Sequence, residues 1–397
     1  MPLRFPDSFN FSKKRILLRV DFNVDFNRRG EIIDDFRIKR TLPAIDSLLR
    51  NKARAVVLIS HFGRPKPRDK KRDKNKPEFS LERVFRYLKR TLKNKVYFLK
   101  VEIGKPARKE INKLPFGSVV LLENIRFYKG EEKNDKSFAK QLASLGDIYI
   151  NEAFSVSHRF NASLCAVTKF LPSFGGMLLN EELENLDKLM KKPKKPLVII
   201  LGGAKIEDKL PLIEKFLEIA DYILIGGGIA NTILKAWGFE IGSSFYSQTM
   251  VRVAKNLGSK KAELVLPGDL RVLTRGRKKE LRELGEVNKN EKILDIGPLT
   301  GYTYNQIISK AKTIFWNGPM GKIEENKFSK GTEDVFKAIL KNKNAFSVIG
   351  GGETIASLKI KNKKLKIKNK NIFLSTGGGA MLNYLAGEKM PALKALI

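Results

Sequence analysis

PLVIILGGAK, Pro196 to Lys205, is the stretch that decides the fold: an unbroken aliphatic run stops on paired glycines, and a lysine follows. The same grammar recurs in DYILIGGG (Asp221 to Gly228), TIFWNGPMG (Thr313 to Gly321), FSVIGGG (Phe346 to Gly352) and NIFLSTGGG (Asn371 to Gly379). Short continuous runs of β-branched, aliphatic and aromatic residues, bounded by glycine, read as strands buried on both faces of a parallel sheet. Glycines at their carboxyl ends let backbone N–H groups approach a polyphosphate, often at the N-terminus of the next helix. One such turn is weak evidence. Five in series, one carrying lysine, argue for a nucleotide clamp.

Outward from that segment, strands are expected at Leu197–Leu201, Ile223–Ile225, Leu264–Leu266, Ile293–Ile296, Ile314–Trp316, Phe346–Ile349 and Ile372–Leu374. In the first half they are expected at Ile16–Val24, Ala55–Ser60, Val96–Val101, Val119–Glu123 and Ile148–Asn151. Helical patterns lie between some of them, as in Ser80–Leu92, where Leu81, Val84, Phe85, Leu88 and Leu92 share one face. Strands alternating with helices give α/β, with a parallel sheet in each half. Midway, Leu179, Leu183, Leu186, Leu189 and Met190 form an apolar stripe that KKPKKP (Lys191 to Pro196) stops, which marks a domain boundary.

The chain has 397 residues, 42% of them hydrophobic, enough to bury a large core in two domains. Its single cysteine, Cys165, forms no intrachain disulfide and reads as a buried hydrophobe. No apolar run reaches membrane-spanning length and no signal-peptide stretch opens the chain, so a cytoplasmic protein without membrane contact is expected. Lysine and arginine number 77 against 42 acidic residues, a net charge of +35. Such an excess attracts any anion, but Lys66–Lys76 and Lys359–Asn371 lack the interleaved aromatics of a single-strand stacking platform. They read as solvated basic surface, not as a specific nucleic-acid site.

The strand ends of the two halves carry different chemistry. The first half offers RVDFN (Arg19 to Asn23), SHFGR (Ser60 to Arg64), ENIR (Glu123 to Arg126) and SHR (Ser157 to Arg159), with Arg37 in DDFR. Arginines and histidines there suit a small, highly anionic ligand. The second half offers glycines and lysines, which suit a nucleotide. No cluster completes G-x-G-x-x-G: starting from Gly226, Gly350 and Gly377, the last position holds Asn231, Ile355 and Leu382. Nor does a G-x-x-x-x-G precede Lys205 or Lys209, which excludes a Walker loop. Two histidines and one cysteine give no zinc signature.

In order along nearly the whole chain, RVDFNV, DDFRI, SHFGRP, LLENIRFYKGEEKND, GGAKIEDK, LIGGGIANT, WNGPMG, FSKGT, VIGGGET and STGGGAML closely resemble the phosphoglycerate kinases. The resemblance implies a bilobal kinase of two doubly wound, Rossmann-like parallel-sheet domains joined by a hinge helix. Residues 1–174 would bind 3-phosphoglycerate or 1,3-bisphosphoglycerate, 175–195 would be hinge helix and linker, 196–380 would bind nucleotide, and 381–397 would return to the first domain. The activity implied is the glycolytic, reversible, Mg²⁺-dependent phosphoryl transfer between 1,3-bisphosphoglycerate and ADP, giving 3-phosphoglycerate and ATP. The implied protein is a cytoplasmic monomer with small-molecule partners.

Carried over residue by residue, the resemblance implies substrate contacts at Asp21, Phe22, Asn23, Arg37, His61, Phe62, Gly63, Arg64, Arg126 and Arg159. Nucleotide contacts would be Gly203, Lys205, Lys209, Gly226, Gly227, Gly228, Asn317, Glu324, Gly351, Gly352, Glu353 and Thr354. Glu353 would serve Mg²⁺, and Arg37, Lys205, Gly352 and Gly378 would act on the transferred group. The acceptor in this family is a carboxylate, already ionised near neutral pH, so the absence of an Asp–His catalytic pair fits: no general base is needed. Glu353 stands where the family has aspartate, Asp25 where it has proline, Glu152 where it has aspartate, and Asn161 where it has histidine. Lys322-Ile323 likewise replaces Val-Phe. The alternative is a catalytically impaired homologue acting as a basic nucleic-acid-binding protein, which would explain +35 but not arginines at strand ends.

Overall fold

The computed structural model describes residues 10–65, 77–207, 209–258, 260–361 and 369–397, so the lysine-rich run 66–76 and most of 359–371 lie outside the described residues. The chain divides into two compact units, Met1–Leu183 with Glu388–Ile397, and Glu184–Gly387.

In the first unit the strands are β1 (Arg15–Arg19), β2 (Ala55–Ile59), β3 (Val96–Leu99), β4 (Ser118–Leu122), β5 (Ile148–Asn151) and β6 (Ser173–Gly175). They form one wholly parallel sheet in the order β3-β4-β2-β1-β5-β6. Successive side chains on a strand point to opposite faces. Accordingly Ile16, Leu18, Val56, Leu58, Val119, Leu121, Ile148 and Ile150 join the core on one face. Leu17, Val57, Ile59, Val120, Leu122 and Tyr149 join the core on the other. Burial on both faces is why the middles of these strands are continuous apolar runs, with polar residues such as Arg15, Arg19, Ser118 and Asn151 only at their ends. Helices such as Phe36–Arg50 and Glu82–Thr91 cover them, burying Ile38, Ile45, Val84 and Leu88. The returning C-terminal segment closes a small cluster of Ala153, Val156, Leu164, Cys165 and Ala392.

In the second unit the strands are β7 (Leu197–Leu201), β8 (Tyr222–Ile225), β9 (Glu263–Val265), β10 (Asp269–Leu273), β11 (Lys279–Glu283), β12 (Lys292–Ile296), β13 (Thr313–Asn317), β14 (Phe346–Gly350) and β15 (Ile372–Leu374). Six of them make a second parallel sheet, β15-β14-β13-β7-β8-β9. Val198, Ile200, Leu224, Ile314, Trp316 and Ile349 share its core. The remaining three form a separate antiparallel sheet, β11-β10-β12, over Leu234, Ile241, Leu270, Val272 and Ile293. That sheet corrects the sequence reading, which placed Ile293–Ile296 with the parallel strands and did not anticipate β6, β10 or β11. Alternating burial along KELRE gives β11 one solvated face, as an antiparallel edge allows.

Helix Met177–Lys191 buries Leu179, Leu186 and Leu189 of the expected stripe together with Leu178, while Leu183 and Met190 are half-buried. Among the described residues no helix is long and apolar enough to cross a membrane.

Candidate functional site

In an open parallel sheet the strands' carboxyl ends share one edge, and a crevice opens where the strand order reverses. In the first unit β1 lies between β2 and β5, so the segments after these strands and after β4 are neighbours. Asp21 and Asn23 follow β1, His61 to Arg64 follow β2, Arg126 follows β4, and Arg159 lies beyond β5. Ser60 Oγ accepts from Phe22 N at 2.9 Å, and Asn23 Oδ1 accepts from Gly63 N at 2.8 Å, which fastens the first two segments together. Asn124 braces the others: its Oδ1 accepts from Phe62 N and Arg126 N, both at 3.1 Å, while Nδ2 donates to Phe62 O at 2.7 Å and Phe79 O at 2.9 Å. The Arg126 guanidinium donates to Gly63 O. From helix Phe36–Arg50, Arg37 meets Asp21 Oδ2 at 2.6 Å, and Ser155 Oγ donates to the same oxygen. Arg64 is exposed. Arg159 is half-buried, and its Nε is covered without a hydrogen-bond partner.

The electrostatics of this edge are uneven. Burial alone would raise Asp21, but the Arg37 cation and the hydrogen bonds from Ser155 and Asn23 N–H outweigh it and hold the carboxyl at about 2. Burial pushes Arg126 down to about 10, and repulsion from Arg159 and Arg19 adds to it. His61 is driven well below its ordinary value by burial, with Arg19, Arg126 and Arg37 repelling the proton against the pull of Asp21. His158 is lowered by burial and by Arg159. Cations crowded until burial and mutual repulsion weaken them gain most from an anionic ligand.

The second unit brings its turns together at the reversal between β7 and β13. Gly202 N bonds Asn317 O at 3.0 Å, Gly203 N bonds Pro319 O at 2.7 Å, and Gly227 N bonds Met320 O at 2.9 Å. Here glycine is compulsory: at Gly227, φ is +61° and a Cβ would lie 2.8 Å from Gly203 N. Asn317 is buried at the end of β13, and Thr354 Oγ1 accepts from Gly318 N at 2.8 Å. These turns line one side of a cavity of about 320 Å³ that includes Gly203, Gly227, Gly228, Met320, Glu324 and Glu353. Phe245, Leu270, Ile293 and Leu294 line it as well, giving an apolar wall suited to a flat ring.

The lysines are placed differently. Lys205 is exposed. Lys209 is buried, and its Nζ donates to Gly202 O at 2.6 Å, bracing that turn. Gly226 precedes helix Gly227–Ala236 as its cap, Gly351 and Gly352 lead into helix Gly352–Lys361, and Gly378 caps helix Gly379–Ala386. Nothing within 4 Å would meet a Cβ on Gly352 or Gly378, so these two backbones face open space. Among the described residues no three His, Cys, Asp or Glu side chains gather as a metal cage. Mg²⁺ seldom uses one: it binds through one or two carboxylates plus substrate phosphates and keeps several waters. Glu353, exposed in the first turn of its helix and on the cavity wall, is a donor of that kind.

The sequence reading missed Ser155 and the cavity wall built by β10, β12 and Phe245; Arg19 stood in a quoted strand-end cluster, but neither its 2% exposure nor its hydrogen bond to His61 was anticipated. Asn124 stood inside a quoted motif, but its bracing role shows only once β2 and β4 are neighbours.

An arginine-rich edge on one parallel sheet and a glycine-rich edge beside a cavity on another characterise this two-unit α/β chain. The family model for phosphoglycerate kinase matches residues 7–388. A phosphoglycerate kinase of Wolbachia pipientis subsp. Culex pipiens is 40% identical, with 98% of each chain covered. One from Geobacter metallireducens is also 40% identical, covering 100% of this chain and 99% of the relative. Among solved structures, phosphoglycerate kinase from Coxiella burnetii is similar with a TM-score of 0.83 and 36% identity, covering 100% of this chain and 99% of that one. That from Pyrococcus horikoshii has a TM-score of 0.84 and 34% identity, with 98% of each covered. The chain belongs to the phosphoglycerate kinase family.

Proposed function

We propose that this chain carries out reversible phosphoryl transfer between 1,3-bisphosphoglycerate and ADP, giving 3-phosphoglycerate and ATP, in the cytoplasm and as a monomer. The observation that carries the reading is the convergence of Arg37, Arg126, Arg159 and His61 around the ends of β1, β2, β4 and β5. A phosphate and a carboxylate on one small molecule need several fixed cations at once. Asp21, Phe22, Asn23, Phe62, Gly63 and Arg64 complete that subsite. Gly203, Lys209, Gly226 to Gly228, Asn317, Glu324, Gly351 and Thr354 hold the nucleotide.

The acceptor carboxylate is ionised at neutral pH, so no side chain has to remove a proton. The work of the residues is positioning and charge neutralisation. Arg37 orients the acceptor, held in register by Asp21 until the ligand competes for its guanidinium. Lys205, exposed after β7, is free to follow the transferred group, and the backbone N–H groups at Gly352 and Gly378 give it donors that need no reorganisation. Bound through Glu353 and the nucleotide phosphates, Mg²⁺ would neutralise charge on the phosphate oxygens. The two ligands are thus assigned to different units.

Family membership supports the kinase and lends nothing to the nucleic-acid alternative. The test is a coupled assay for ATP formation from 1,3-bisphosphoglycerate and ADP. Turnover that depends on both substrates and on Mg²⁺ is expected, and a folded protein without it would overturn the reading.

A further inference from the structure

Beneath the cationic edge runs a buried hydrogen-bonded chain that the transfer reaction does not use directly. It starts at Glu131, 1% exposed in the short helix Lys129–Glu132. Glu131 Oε1 accepts from Ser163 Oγ at 2.6 Å and from Asn161 Nδ2 at 3.4 Å, while Oε2 accepts from Ser163 N at 2.9 Å. Ser163 Oγ accepts in turn from Arg19 Nε at 3.0 Å. Arg19 then donates through a terminal nitrogen to His61 Nδ1 at 3.2 Å, and His61 Nε2 lies 3.8 Å from Asp21 Oδ1.

A guanidinium has donors and no acceptor, so the nitrogen it faces on a histidine must offer a lone pair. His61 Nδ1 is therefore bare, and the ring proton sits on Nε2, toward Asp21. An arginine this deeply buried is tolerated only with a compensating, hydrogen-bonded anion. Glu131 supplies that anion at one remove, through the Ser163 hydroxyl. If Arg19 moved, the imidazole could take its proton on Nδ1 and turn a lone pair toward the ligand, which would repel an anion in place of donating to it.

We propose that Glu131 is a positioning residue: acting through Ser163 and Arg19, it fixes His61 in the Nε2–H form that donates toward the anion subsite. The inference deepens the proposed function and rests on it only for the kinetic half of the test.

The whole chain, labelled with ¹⁵N-histidine, contains two imidazoles, His61 and His158, and His158→Gln assigns them. At pH 7 the wild-type His61 is expected to show the separate ring-nitrogen shifts of a single Nε2–H tautomer. Ser163→Ala keeps both charges and cuts the link, so it should give averaged shifts of mixed tautomers. It should also raise KM for 3-phosphoglycerate roughly tenfold, the scale of one hydrogen bond, while KM for ATP stays unchanged. Glu131→Gln should give the same His61 signature. If its uncompensated Arg19 prevents folding, Ser163→Ala still decides. A wild-type His61 that is mixed or protonated on Nδ1 overturns the proposal. So does a single Nε2–H tautomer persisting in Ser163→Ala, even with lowered thermal stability, because that would reduce the chain to a structural brace. Wild-type protein with the expected shifts but no turnover of 3-phosphoglycerate would overturn the functional reading and leave the tautomer assignment standing.

Discussion

Asp21→Asn should destabilise the first unit by about 2 kcal/mol at pH 7, and that loss should vanish in acid. The carboxyl has an ordinary value of 3.8 and is held at about 2, with Arg37 at 2.6 Å and Ser155 on the same oxygen. At about 1.4 kcal/mol per pH unit, the gap between those values gives roughly 2 kcal/mol for the ionised form. A group depressed on folding contributes fully above its unfolded value and loses that contribution as pH falls through the folded one. Asparagine mimics the protonated acid, so the difference between the two proteins should be close to full at pH 4, about half at pH 3 and nearly gone by pH 2. Urea midpoints of wild type and variant, compared at pH 7, 4 and 3 with the slope held common, measure it. A difference that stays constant from pH 7 to pH 3 would refute the argument, since the loss would then come from packing and not from the Arg37 pair.

Arg37→Ala and Lys205→Ala should each lower kcat by ~10² or more with a smaller change in KM, because both act on charge that develops during transfer; steady-state kinetics decide, and unchanged kcat in both would remove the assignment. Glu353→Gln should sharply raise the Mg²⁺ concentration needed for half-maximal rate, whereas Glu353→Asp should retain activity, as a magnesium titration of each variant will show. Gly227→Ala places a Cβ 2.8 Å from Gly203 N at a left-handed φ, so ADP affinity by calorimetry should fall and the melting temperature drop; an unaltered affinity would mean that this turn does not shape the cavity. Weak binding of unrelated oligonucleotides, fading as salt rises and indifferent to sequence, is expected from the +35 charge; tight selective binding at physiological salt would reveal a dedicated site.

The parallel strands were legible because burial on both faces leaves a continuous apolar run, as in Leu197–Leu201 and Ala55–Ile59. Their ends were less so. Ile16–Val24 reads as one long strand, yet β1 stops at Arg19, after which side chains replace the ladder: Ser60 takes Phe22 N, and Asn23 takes Gly63 N. That competition depends on which strands become neighbours, which one-dimensional pattern does not encode. β11 escaped because KELRE alternates charge with a single leucine and resembles a solvated loop. At the site, contiguous motifs such as SHFGR placed their residues correctly at strand ends, whereas the isolated polar residue Ser155 has no neighbours in sequence that mark it. Lys209 could be located but not aimed: a lysine immediately before a helix gives no sign that its ammonium will turn back onto Gly202 O.

The antiparallel sheet gives the nucleotide cavity two separate origins. Gly203, Gly227 and Met320 belong to turns of the parallel sheet, whereas Leu270 and Ile293 come from β10 and β12, which pair with each other and, among the described residues, with no strand of the parallel sheet. Substitutions at Leu270 or Ile293 would therefore reach the cavity from a sheet of its own, tied to the turn after β13 where Lys322 N donates to Leu294 O at 2.8 Å.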